Sequence, residues 1–183
     1  SNNNGAVTSI LVDPTSTQGT RTLYSAVMGQ GVYKSTNDGT SWTAVNTGLG
    51  MPDNMNAWQL RRMSDGTLYC ALTEAMDTSL HRYPGALFKS IDDGANWTKV
   101  NTGQQFGYIC GFDVDPTDQN VIYVANFNSG GDGLYGLWKT ANGGSSWTRT
   151  LAYGDTYGAD IDPELHTRVY ATIEQGEDWW PQG

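Results

Sequence analysis

Apolar and polar positions along this chain alternate over short stretches, and no segment reads as a convincing helix. Gly31-Val32-Tyr33-Lys34, Ala86-Leu87-Phe88-Lys89 and Gly136-Leu137-Trp138-Lys139 are one short pattern met three times. Upstream lies a second pattern marked by Tyr24, Tyr69, Tyr123 and Tyr170, with an alanine two residues on in the first three. Earlier still, Val12-Asp13-Pro14, Val114-Asp115-Pro116 and Ile161-Asp162-Pro163 each close a further stretch. Runs of β-branched and aromatic residues bounded by Gly, Asn, Asp and Pro predict strands. A proline at a strand end fits, since it cannot donate to a ladder.

The third pattern always runs into a box. Ser35-Thr36-Asn37-Asp38-Gly39-Thr40-Ser41-Trp42 recurs as Ser90-Ile91-Asp92-Asp93-Gly94-Ala95-Asn96-Trp97 and as Thr140-Ala141-Asn142-Gly143-Gly144-Ser145-Ser146-Trp147. The shared form is [ST]-x-[DN]-x-G-x-x-W. Each unit therefore reads strand A, turn, strand B, loop, strand C, box turn, strand D. Four antiparallel strands every 45 to 54 residues, by the tyrosine spacing, predict the blades of a β-propeller. The fold class expected is all-β, a partial propeller over residues 1–183. Blade 1 covers about 6–49, blade 2 about 56–103 and blade 3 about 107–152, with half of blade 4 over about 157–183.

Composition narrows the function classes. The chain has 183 residues, with 10 Lys and Arg against 19 Asp and Glu, a net charge of −9. That balance disfavours nucleic acid, whose phosphates want a basic surface, and an anionic membrane surface. No apolar run approaches the roughly 20 residues of a membrane span. The polar Ser1-Asn2-Asn3-Asn4 shows no signal peptide and reads as a mature end or a cloning start. Cys70 and Cys110 stand in neither a CxxC nor a zinc spacing, and read as free thiols or as a disulfide between neighbouring blades. His81 and His166 are isolated, so no metal and no cofactor is expected.

The three boxes at blade spacing resemble the Asp-box, or bacterial neuraminidase repeat, propellers, and the resemblance covers nearly the whole chain. That superfamily includes sialidases, xyloglucan-degrading glycoside hydrolases, sortilin-type receptors and photosystem assembly factors. The Tyr-x-Ala strand, the Val-Asp-Pro strand end and the repeat rhythm are closest to the xyloglucan-hydrolysing branch. The resemblance implies that the box lies opposite the ligand face. It also implies a catalytic carboxylate where an inner strand meets its B–C loop, in a cleft between two propellers. Glu174 and Glu74 occupy that kind of place here, though the family uses Asp. Sialidase activity is disfavoured, because no Arg-Ile-Pro signature is present and Arg21, Arg61, Arg62, Arg82, Arg149 and Arg168 are scattered.

The box itself is read as structural. The carboxylate or amide of Asn37, Asp92 and Asn142 can bond its own turn, the glycine permits a positive φ, and Trp42, Trp97 and Trp147 supply packing surface. Chemistry is expected on the B–C and D–A loops, whose lengths vary. They hold the carboxylates Glu74, Asp77, Asp155, Glu174, Glu177 and Asp178 and the aromatics Trp58, Tyr153, Tyr157, Trp179 and Trp180. Glu174, Glu74 and Asp155 are the catalytic candidates. Trp179, Trp180, Tyr153, Tyr157, Asp77 and Trp58 are the ligand-binding candidates. A glycosidase needs two carboxylates about 5–5.5 Å apart if retaining and roughly 6.5–9.5 Å if inverting.

Two functions stay open. The first is a glycoside hydrolase, or its propeller part, acting on a neutral plant or microbial polysaccharide. The second is a non-catalytic binding or assembly propeller for a protein or glycan. Three and a half blades leave apolar faces open. The expected partners are therefore an oligo- or polysaccharide and either the remainder of a propeller or a self-associating copy. Secretion or a cell-envelope location follows from the resemblance and the Asn/Thr/Gly-rich composition.

Overall fold

The computed structural model describes residues 5–50, 54–127 and 133–174. It is all-β, a β-propeller fragment. The strands are β1 (Val7–Val12), β2 (Leu23–Val27), β3 (Gly31–Ser35), β4 (Thr43–Ala44), β5 (Ala57–Arg62), β6 (Leu68–Leu72), β7 (Ala75–Met76), β8 (Arg82–Tyr83), β9 (Ala86–Ser90), β10 (Thr98–Lys99), β11 (Tyr108–Val114), β12 (Ile122–Phe127), β13 (Gly136–Thr140), β14 (Thr148–Leu151), β15 (Asp155–Ile161) and β16 (Val169–Glu174). Three four-stranded antiparallel sheets form, in the orders β1-β2-β3-β4, β5-β6-β9-β10 and β11-β12-β13-β14. A two-stranded sheet, β15-β16, follows. Among the described residues no helix is long and apolar enough to cross a membrane.

The inner strands β1, β5, β11 and β15 pack on their neighbours around a common groove. Alternation along each strand divides its side chains between two blade interfaces, as the period of two demands. In blade 2, Leu68, Cys70 and Leu72 face blade 1, where they join Tyr24, Ala26 and Val32. Tyr69 and Ala71 face the other way, into a cluster with Ile109, Phe112 and Ile122 of blade 3. Tyr123, Ala125 and Leu137 then meet Ala159 and Ile161 of blade 4. The repeated Tyr-x-Ala is thus the covering face of each blade: a broad ring beside a small residue that lets the sheets approach. Each fully buried large apolar side chain contributes about 1.5–3 kcal/mol, so these interfaces are the core.

The box turns lie between the third and fourth strands of all three complete sheets. Ser35 Oγ donates to Asn37 Oδ1 at 2.9 Å, and Asn37 Oδ1 accepts the Ser41 amide at 2.9 Å. Ser90, Asp92 and Asn96 repeat this at 2.8 and 2.8 Å, and Thr140, Asn142 and Ser146 at 2.9 and 2.9 Å. Sequence reading placed a positive φ at the box glycine alone. The residue before it is also left-handed: Asp38 (φ 54°), Asp93 (φ 56°) and Gly143 (φ 65°) precede Gly39, Gly94 and Gly144. Asp tolerates this conformation better than most residues because its short polar side chain bonds locally. The Val-Asp-Pro stretches also do more than end a strand. Asp13, Asp115 and Asp162 each accept the amide two residues on, at 2.9, 2.8 and 3.0 Å, and so cap the next turn.

The box tryptophans differ by blade. Trp97 is 4% exposed and its indole donates to Val45 O of blade 1 at 2.8 Å. Trp147 packs edge-on against Phe106. Trp42 is 37% exposed. The two cysteines are free thiols, and no disulfide joins them. Cys70 sits in the core between blades 1 and 2, whereas Cys110 lies on an inner strand beside the groove.

Candidate functional site

Each inner strand carries a β-bulge at the same place. The register shifts between Val7 and Ser9, Ala57 and Gln59, Ile109 and Gly111, and Thr156 and Gly158. The extra residues are Thr8, Trp58, Cys110 and Tyr157, and all four line the same open groove of about 230 Å³ between the inner strands. A bulge leaves one residue out of the ladder and re-aims its side chain. The fold therefore has one slot per blade that points a freely chosen side chain into the groove.

The slot lies at the rim end of the blades. Val7 pairs with Val27 and Val27 with Gly31 at one end of the first sheet, while Val12, Leu23 and Ser35 meet at the box end. Loops meet at the rim. Asn54 donates to Thr73 O and Pro84 O at 2.9 Å each, and Asn56 to Glu74 O at 3.0 Å. These bonds tie the connection into blade 2 to that blade's own B–C segment.

That segment, Thr73–Gly85, reads as a loop in the sequence but folds back as the hairpin β7-β8. Asp77 closes it: Oδ1 accepts the amides of Ser79 (2.8 Å) and His81 (3.0 Å), and Oδ2 accepts the Tyr83 hydroxyl (3.2 Å). The His81 amide first of all holds the Asp77 carboxyl below its ordinary value. Glu74 sits at the hairpin base, its side chain 9% exposed, and accepts from Arg82 Nη1 at 2.8 Å.

Along the rim runs a file of four rings. Trp58 meets Tyr108 (centroids 6.5 Å, 68°), Tyr108 meets Phe127 (6.0 Å, 73°), and Phe127 meets Tyr157 (5.5 Å, 50°). The edge-on contacts brace the rings without stacking their faces together. The Trp58 indole donates to Cys110 O across the blade boundary at 2.7 Å, which fixes its orientation. Burial first, and then the charges of Cys110 and Glu74, raise the Tyr108 phenol above its ordinary value.

At the end of the file the Tyr157 hydroxyl donates to Glu174 Oε2 at 2.6 Å. That bond, with some burial and the charges of Glu174 and Asp155, pushes the Tyr157 phenol up to about 12. Asp155 is the direct cross-strand partner of Glu174. Burial, with the Asp155 charge second, lifts the Cys110 thiol to about 11, so it stays protonated at neutral pH. The structure thus gathers Asp155, Tyr157, Glu174 and Cys110 at one end of the ring file and sets Glu74 with Arg82 on blade 2. Tyr153 stands 55% exposed on the connection into β15. Trp179, Trp180, Glu177 and Asp178 lie outside the described residues. Among the described residues no group of three or more His, Cys, Asp or Glu is placed to hold a metal ion.

Tyr108 and Phe127, which bound rim loops in the sequence, and Cys110 stand on the rim without being among the ligand candidates that the sequence offers. Aligning the inner strands on their bulges would have exposed Cys110, since it falls in register with Trp58 and Tyr157. Tyr108 and Phe127 carry no such mark, because they are neighbours only through the pairing of β11 with β12.

No protein-family model matches the chain. It is similar to two curated xyloglucanases. One, from Hypocrea jecorina (strain QM6a), is 29% identical over 164 residues, covering 81% of this chain. The other, from a Paenibacillus species, is 29% identical over 198 residues, covering 94%. The chain spans 18% of the length of each relative. Among solved structures, the GH74 enzyme of Niastella koreensis superposes with a TM-score of 0.68 at 28% identity, over 91% of this chain and 28% of that one.

Proposed function

We propose that this chain is the substrate-rim portion of a secreted or cell-envelope glycoside hydrolase acting on a neutral plant polysaccharide of the xyloglucan type. In this reading residues 1–183 are a single partial propeller of Asp-box blades with the boundaries given above. The observation that carries it is the unbroken ring file from Trp58 to Tyr157, ending on the Tyr157–Glu174 bond. Sugar rings present apolar CH faces to aromatics and hydroxyls to carboxylates and amides. A file of braced rings leading to a carboxylate fits an extended chain of sugars better than a compact ligand. Similarity to two xyloglucanases supports the same substrate class.

In the proposed chemistry Glu174 is the acid or base at the scissile bond. The Tyr157 hydroxyl holds one of its oxygens, leaving the other for the substrate. Asp155, its cross-strand partner, or Glu74 at the base of the blade 2 hairpin supplies the second carboxylate that glycoside hydrolysis needs. Trp58, Tyr153 and Tyr157 bind sugar, and Trp179 and Trp180 are proposed as further sugar-binding residues. Asp77 acts by shaping the hairpin.

A second reading has its own observation. One Glu74 oxygen is already held by Arg82, an arrangement suited to positioning rather than proton transfer. In that reading the rim binds glycan without cutting it. Reducing-sugar release from xyloglucan, measured for the chain and for Glu174→Gln, separates the two. Release abolished in the variant supports hydrolysis by this rim. Tight xyloglucan binding without release by the full-length gene product overturns it in favour of the binder.

A further inference from the structure

One level below the bulge slots, the inner strands carry a line of charges. Three residues past each bulge, and opposite the tyrosine of the second strand, stand Leu11, Arg61, Asp113 and Asp160. Leu11 packs into the core between blades 1 and 2. The other three meet one another. Arg61 Nη2 donates to Asp160 Oδ1 at 3.1 Å, and Arg61 Nε stands 3.5 Å from Asp113 Oδ1. Asp113 Oδ2 in turn accepts the Ile161 amide of blade 4 at 2.9 Å. One side chain of blade 2 thus reaches blades 3 and 4 at once.

The charges require that reach. β11 and β15 approach each other by their backbones: a Cβ added to Gly111 would lie 3.0 Å from Tyr157 O and 3.2 Å from Gly158 Cα. Two residues further along each strand come Asp113 and Asp160, like charges on strands this close, which repel unless a cation joins them. The planar guanidinium stays charged and presents its donors in a fixed fork, so it can serve two carboxylates together. An exposed ion pair alone contributes little. Here Arg61 Nε is shut off from water and the Asp113 side chain is 20% exposed, so that pairing is weakly screened.

The same three blades carry the ring file. Trp58, Cys110 and Tyr157 sit three residues before Arg61, Asp113 and Asp160 on β5, β11 and β15, and Tyr157 holds Glu174. We infer that Arg61 is a positioning residue. By neutralising Asp113 and Asp160 it sets the spacing of blades 3 and 4, and so the placement of the Tyr157–Glu174 pair against the rings of Trp58, Tyr108 and Phe127. The effect of Arg61 on turnover rests on the hydrolase reading above, and its effect on blade spacing does not.

The test compares the full-length gene product with Arg61→Met and with Arg61→Met combined with Asp160→Asn. Cys110 lies beside Tyr157 at the boundary of blades 3 and 4. Its alkylation by N-ethylmaleimide, followed at the Cys110 peptide by mass spectrometry, therefore reports the spacing without any need for activity. Arg61→Met is expected to raise that rate about fivefold and to lower kcat on xyloglucan about 10–100-fold. Adding Asp160→Asn removes the repulsion and is expected to restore most of both. Lost packing alone would leave the double variant as impaired as the single one, and that result overturns the inference. So does an Arg61→Met protein with an unaltered Cys110 rate, or one with a raised rate and an unaltered kcat. If no form releases sugar while Cys110 follows the expected pattern, the hydrolase reading falls and the spacing role of Arg61 stands. Should Arg61→Met not fold, the double variant decides alone: folded, it supports the inference, and unfolded, it overturns it.

Discussion

The two ends of the blades obey different rules. At the box end, three turns repeat one hydrogen-bond pattern to within about a tenth of an ångström, with Ser, Thr, Asn and Asp exchanged freely within it. At the rim end, the B–C segment is a three-residue turn in blade 1 and a full hairpin in blade 2. The bulge slots hold Thr, Trp, Cys and Tyr. Backbone geometry is invariant at one end and side-chain chemistry is free at the other, although one set of strands connects them. The repeat is therefore a scaffold whose regularity is spent on blade-to-blade packing, leaving the rim to carry chemistry.

That contrast can be attacked from both ends. The largest expected effect is at the rim. If Glu174 is the acid or base, Glu174→Gln lowers kcat by about 10²–10⁴ with the melting temperature unchanged, and a loss of fold instead would erase the distinction. Next is the box end. Gly144 has φ 93°, and an added Cβ would lie 2.3 Å from Val100 O. Gly144→Ala is expected to cost about 2–4 kcal/mol in urea unfolding, while the folded fraction keeps its full activity. Smaller is Trp58→Ala, which removes one ring of the file. It should weaken xyloglucan binding by about 0.5–1.5 kcal/mol, read as KM, with kcat nearly constant.

The smallest is a pH effect. Bonds from Asn96, first its side chain and then its amide, together with Ser90, hold the Asp92 carboxyl below its ordinary 3.8. A group depressed in the folded state stabilises the protein above its unfolded value and loses that contribution as pH falls through the folded value. Melting temperature measured from pH 5 down to pH 2.5 should therefore fall less steeply in Asp92→Asn. Asn37 and Asn142, which do not titrate, should show no such difference when exchanged for alanine.

Much of the fold was legible because its signals are local. Tyr24, Tyr69 and Tyr123 mark second strands, and each box contains its own hydrogen-bonding partners within a few residues. The rim was legible only in part. Trp58 and Tyr157 stood out as aromatics in variable loops, and Glu174 stood out by its offset from Tyr170. Their partners did not, since Trp58 reaches Cys110 across 52 residues of sequence and only blade stacking brings them together. Asp77 shows something else the sequence hides. A carboxylate in a long loop reads as a ligand group, and the fold gives its oxygens the further role of holding a hairpin shut. The bulges escaped notice because an inserted residue is visible only when both strands are aligned.

Strand length carries one more consequence. The outermost strands β4 and β10 have two residues each and β14 has four, while the inner edges are interrupted by bulges. A foreign strand needs a longer, flatter edge than either to add itself to a sheet. These three sheets are thus guarded on both margins against the edge-to-edge growth that produces fibrils. Contact of these three sheets with another sheet is thus channelled through their flat faces rather than their edges.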